Sequence, residues 1–139
     1  MPSAVAVVDA GPLYAAANSK DPDHGRSLTA LQRADLDLVV PALVITEVTQ
    51  LLGARYGPKA EARFLRGLAG FAVEPPAPED FPRIAGLIEQ YADFPLGGVD
   101  ASVVALAERL GTPLVLTLDR RHFAAVRPNH CESLELLPE

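Results

Sequence analysis

Four acids in this 139-residue chain stand where apolar residues or plain turns would be expected, and their positions are the first sign of chemistry. Asp9 follows the apolar run Ala4-Val5-Ala6-Val7-Val8, and Asp119 follows Leu116-Thr117-Leu118. Both lie just past predicted strands, where each could also cap a following helix. Glu47 sits between Leu43 and Leu51 at i±4. An advance of about 100° per residue sets it in the middle of a stripe with Val44, Val48 and Leu52. Asp100 shares a helical face with Val103, Val104, Ala107 and Leu110, although an acid in a first turn also complements the helix dipole. A core-facing carboxylate costs several kcal/mol unless it is paired or metal-bound, so a buried ion pair with an Arg is the other reading of Glu47. In a parallel sheet both strand ends point to one edge, and the four acids converge there. Crowded carboxylates raise one another's pKa and call for a cation. Hard oxygen donors suit Mg²⁺ or Mn²⁺, and no cluster of His and Cys competes for zinc. Such an ion lowers the pKa of water and neutralises charge on a phosphoryl group, which points to metal-dependent phosphodiester hydrolysis. Asp93, in the loop before Asp100, would add a fifth carboxylate.

The elements that must position these acids alternate between strand and helix. Ala4–Val8 reads as a strand buried on both faces, and Asp9-Ala10-Gly11-Pro12 as a turn that opens a helix. A helix is predicted over 22–34, a second strand at Leu36–Val40 closed by Pro41, and helices over 42–55 and 59–68 separated by Gly57-Pro58. A third strand falls at Phe71–Glu74. The proline-rich stretch Glu74–Pro82 reads as a loop, with helices over 78–92 and 99–110 beyond it. Leu114–Thr117 is a fourth strand and Leu134–Leu136 a possible fifth at the edge. This alternation predicts an α/β domain spanning residues 1–139, with a parallel sheet of four to five strands and helices on both faces.

Composition narrows the function classes. The hydrophobic fraction of 49% and the charged fraction of 22% exclude a disordered chain, and 139 residues suffice for one core. A net charge of −6 argues against a general binder of duplex DNA. Ten of the twelve basic residues are Arg, which a GC-rich genome also produces. The single Cys131 excludes an intramolecular disulfide and suits a reducing cytoplasm. No apolar run reaches the ~20 residues of a membrane span, and no signal peptide is expected.

The order Val-Asp9-Ala-Gly, then Glu47 in a helix, then Asp100-Ala101 opening a helix, resembles a PIN domain. The segments Asp93–Ala107 (DFPLGGVDASVVALA) and Thr117–Phe123 (TLDRRHF) are most similar to the VapC ribonuclease toxins of bacterial VapBC toxin–antitoxin pairs. The resemblance covers essentially the whole chain. It implies a Rossmann-like sheet and a Mg²⁺-dependent endoribonuclease, with Mn²⁺ able to substitute, acting on structured RNA such as a tRNA or ribosomal RNA loop. By the same resemblance Asp9 and Asp100 are the principal metal ligands, Glu47 and Asp119 complete the pocket, and Thr117 steadies a carboxylate or water. Arg120, Arg121 and His122 are candidates to grip RNA phosphates. Where many relatives place Thr-Ser after the first Asp, this chain has Ala10-Gly11. A small VapB-like antitoxin is the implied partner, together with a homodimer or a hetero-oligomer, and DNA binding is left to that antitoxin. The other class left open is a non-catalytic α/β binding or scaffold module whose acids are structural.

Overall fold

A computed structural model describes residues 3–139. The chain runs through β1 (Ala4–Val8), α1 (Ala10–Ala17), α2 (His24–Leu31), β2 (Leu36–Pro41), α3 (Ala42–Tyr56) and α4 (Pro58–Gly67). A 3-10 turn, Leu68–Gly70, leads into β3 (Ala72–Glu74), α5 (Asp80–Gln90), α6 (Gly98–Leu110), β4 (Leu114–Leu116), α7 (Arg120–Ala125) and β5 (Glu135–Leu137). All five strands pair in parallel, in the order β3-β2-β1-β4-β5. The predicted fifth strand is real and lies at the edge.

Side chains of successive strand residues point to opposite faces, so consecutive buried residues mean a sheet covered on both sides. Ala6, Val7 and Val8 of β1 are all fully buried, as are Val115 and Leu116 of β4. The core is aliphatic, with Phe123 its largest fully buried side chain. α6 packs on β1, β2 and β4, and its Val103, Val104 and Ala107 are fully buried. Two glycines set the helix ends. Gly57 adopts φ +86° between α3 and α4, with Pro58 opening the next helix, and Gly111 closes α6 in the left-handed region at φ +67°.

The strand order carries the functional information. The chain builds outward from β1 to β2 and β3, then crosses back to place β4 on the other side of β1. The gap between β1 and β4 is therefore the switch point, where crevices open beyond the carboxyl ends of the strands in open α/β sheets. Asp9 directly follows β1, and its backbone N–H donates to the Leu116 carbonyl at the end of β4 at 2.8 Å. No helix among the described residues is long and apolar enough to cross a membrane.

Candidate active site

At that switch point Asp9, Glu47, Asp100 and Asp119 line one open cavity of about 490 Å³, with Ala10, Gly11 and Leu118. Four different elements deliver them: the end of β1, the middle of α3, the first turn of α6, and the turn between β4 and α7. Gly11 belongs to this construction. A Cβ there would lie 3.3 Å from the Cβ of Leu118, so the start of α1 and the segment after β4 approach as closely as they do because residue 11 is glycine.

Asp9 is only 5% exposed and caps α1 with its backbone geometry alone, making no side-chain cap bond. Its carboxylate instead accepts a hydrogen bond from the buried Thr117 hydroxyl at 2.8 Å. That hydroxyl accepts in turn from the Asp119 backbone N–H at 2.9 Å, so Thr117 steadies one acid and sets the backbone of another. Burial pushes the Asp9 carboxyl up to about 7. The Thr117 and Ala10 hydrogen bonds pull the other way, and the charges of Asp100 and Glu47 add to the rise. The half-buried Asp100 is pushed up to about 6, again first by burial and then by Asp119 and Glu47. Two neighbouring acids that resist ionisation mark a site poised to receive positive charge.

Glu47 does not lie in the middle of the buried stripe. α3 turns Val44, Val48 and Leu52 into the core, whereas Leu43 and Leu51 are 36% and 49% exposed. Glu47 stands half-buried on the shoulder it shares with Leu43 and Leu51, lining the cavity, and no Arg forms an ion pair with it among the described residues. Asp119 carries a second duty: it caps α7 by accepting from the His122 backbone N–H at 3.0 Å, and its oxygens lie 2.8 and 3.0 Å from His122 Nδ1. Asp93 is exposed and is not among the residues lining the cavity. Arg120 turns away: its Nη1 donates to the carbonyls of Leu136 at 3.4 Å and Pro138 at 3.0 Å, tying α7 to β5. That use argues against a phosphate contact by Arg120. Phe94, whose ring rests on His122, had no place among the expected residues; an aromatic between Asp93 and Pro95 in a Gly-rich loop was its only signal.

The donor set is all oxygen, and it suits a hard divalent cation in kind. Among the described residues no three Asp, Glu, His or Cys side chains are gathered into a ready-made cage. Mg²⁺ does not require one, because it is commonly held by one or two carboxylates with several waters. The residues present fit the ion on both counts.

The PIN domain family matches residues 6–128. Ribonuclease VapC26 of Mycobacterium tuberculosis (strain ATCC 25618 / H37Rv) is 36% identical over 124 residues, covering 88% of this chain and 92% of that protein. The chain belongs to the PIN-domain family and, within it, to the VapC proteins. Solved structures share the fold at lower identity. VapC20 of Mycobacterium tuberculosis, a sarcin-ricin loop cleaving toxin, superposes with a TM-score of 0.73 at 19% identity over 79% of this chain and 86% of its own. A toxin–antitoxin complex from Klebsiella pneumoniae gives 0.64 at 19% identity, covering 87% and 92%. VapBC2 from Rickettsia felis, bound to a DNA fragment from its promoter, gives 0.71 at 12% identity, covering 96% and 99%.

Proposed function

We propose that this chain is a Mg²⁺-dependent endoribonuclease, the toxin of a VapBC-type pair, cutting structured RNA in a tRNA or ribosomal RNA loop. The observation that carries the reading is the convergence of Asp9, Glu47, Asp100 and Asp119 on one cavity at the sheet's switch point. Asp9 and Asp100 would hold the divalent ion, and Glu47 and Asp119 would complete the acidic wall. Bound there, the ion would neutralise charge on the phosphoryl group and make water a better nucleophile. Thr117 fixes the Asp9 carboxylate so that its orientation survives the approach of the strand. In the hydrolysis, water forms a bond to phosphorus, one P–O ester bond breaks, and the departing ribose oxygen takes up a proton. A single-stranded loop suits such a cleft, since its phosphates can enter without a paired strand.

The test is cleavage of RNA by the purified chain with Mg²⁺ or Mn²⁺ and with EDTA, beside Asp9→Ala and Glu47→Gln. Cleavage should require the metal and be lost in both variants, and Asp9→Ala should weaken Mn²⁺ binding. Glu47→Gln should melt in EDTA at or above the temperature of the parent, because it removes repulsion and breaks no ion pair. Unchanged metal binding in Asp9→Ala and Asp100→Ala would favour the scaffold reading.

The partner reading rests on a second surface. An apolar groove of about 550 Å³ runs between α1, α2 and α4, lined by Leu13, Leu28, Leu31, Phe64 and Phe71 among others. Its walls come from α1, α2 and α4 and from Leu68 and Phe71 ahead of β3. The eight residues of α1 link this groove to the acids at its start, a span of about 12 Å at 1.5 Å per residue. A disordered antitoxin tail ordering in the groove would bridge that span in about four extended residues and deliver an Arg or Lys to the carboxylates. Co-expression with a small neighbouring product should therefore yield a complex that neither cuts RNA nor binds Mn²⁺. A product that co-purifies without lowering either would sink this mode of inhibition. The exposed Leu43 and Leu51 of α3 support a homodimer through that helix, and the reading places the pair in the cytoplasm with promoter DNA bound by the antitoxin.

A further inference from the structure

Acids alone would repel a polyanion, and the groups that can offset them stand next to Asp119, one of the acids lining the cavity, through its contact with His122. The ring of Phe94, between α5 and α6, lies 4.8 Å from the ring of His122, centroid to centroid, with the planes tilted by 39°. The guanidinium carbon of Arg121 lies 5.2 Å from the centroid of the same Phe94 ring. His122 is held from its other side by Asp119, through Nδ1. The exposed Arg121 therefore stands over a ring, whereas its neighbour Arg120 is a strut to β5.

An Arg held over an aromatic ring by cation–π attraction still has N–H donors for an oxyanion. The ring also orders a long side chain in advance, so less freedom is lost when a phosphate arrives. His122, with Nδ1 on Asp119, has Nε2 left for the same use. The chain carries a net charge of −6, so a fixed cation such as Arg121 near the acids favours the approach of a nucleic acid strand. We propose that Phe94 is a positioning residue that holds Arg121 and His122 to grip the backbone phosphates of single-stranded RNA beside the scissile one. The proposal rests on the ribonuclease reading above. It assigns Phe94 a role in binding the strand through these two side chains.

The experiment separates binding from cleavage. Asp9→Asn, which does not cut, is titrated with a fluorescent single-stranded oligoribonucleotide across a range of monovalent salt without divalent cation. In that background Arg121→Gln and Phe94→Leu should each weaken binding roughly tenfold and lower the slope of log affinity against log salt by about one phosphate contact. Phe94→Tyr, which keeps the ring, should retain both affinity and slope. A Phe94→Leu protein that melts earlier but keeps the parent's affinity and slope would show a packing role only and overturn the proposal. So would a parent that binds no RNA. Cleavage of the same oligonucleotide by the wild-type chain is scored separately. RNA cut with an unchanged KM in Phe94→Leu sinks the grip and leaves the ribonuclease standing. Phe94-dependent binding without any cleavage does the reverse.

Discussion

Burial lifts the Asp9 carboxyl from its ordinary value of 3.8 to about 7, so the folded, metal-free protein holds protons there that the unfolded chain releases. Stability then falls as pH rises between about 4 and 7, at up to about 1.4 kcal/mol per pH unit, and Asp100 adds to the fall between about 4 and 6. Thermal melts in EDTA should show this decline, and Asp9→Asn should flatten most of it. A melting temperature that climbs steadily from pH 4 to 7 in both proteins would contradict the placement of Asp9. Arg120 gives a prediction of the opposite kind. Its two carbonyl acceptors, Leu136 on β5 and Pro138 just past it, make it a strut, so Arg120→Gln should cost about 1 kcal/mol, a drop of about 3 °C, without changing the salt dependence of RNA binding. Asp9 and Asp119 could be found in the sequence because an acid ending an apolar run is conspicuous. Which of two adjacent arginines stands over Phe94 and which ties down the end of β5 could not, because Arg120 and Arg121 are the same residue type and differ only in what lies across from them.

Helix α3 shows where periodicity succeeds and where it stops. The 3.6-residue repeat places Leu43, Val44, Val48, Leu51 and Leu52 on one broad stripe, but it does not say which part of the stripe meets the sheet. Packing against α1, α4, α6 and β2 buries Val44, Val48 and Leu52, and that leaves Glu47 on the shoulder it shares with Leu43 and Leu51. Leu52→Ala should therefore cost about 2–5 kcal/mol and Leu51→Ala well under 1, read from denaturant midpoints of the separate variants. Equal losses would mean that α3 is rotated from the orientation described. The strands and the long helices were legible because each shows a buried run or a repeat between Gly and Pro punctuation. α7 has six residues, fewer than two turns, and too short a pattern to register. Its capping pair Asp119 and His122, three positions apart, was the only local sign of it.

At the scale of the molecule, alternation of strand and helix was enough to give a parallel sheet, because parallel neighbours need a crossover between them. The order β3-β2-β1-β4-β5 was not in the pattern, since the side on which β4 docks depends on which edge of β1 is left open and on how α6 covers it. The same order has a consequence in time. Asp9 and Thr117, which share a hydrogen bond, are 108 positions apart. At about 5–20 residues per second, synthesis of the second follows that of the first by about 5–20 s. Every residue lining the apolar groove, from Leu13 to Phe71, has been made before any of Asp100, Thr117 or Asp119 exists. On the ribonuclease reading proposed above, a nascent chain would therefore lack its cutting site for most of its own translation, and the groove proposed to receive an inhibitor is written before the blade.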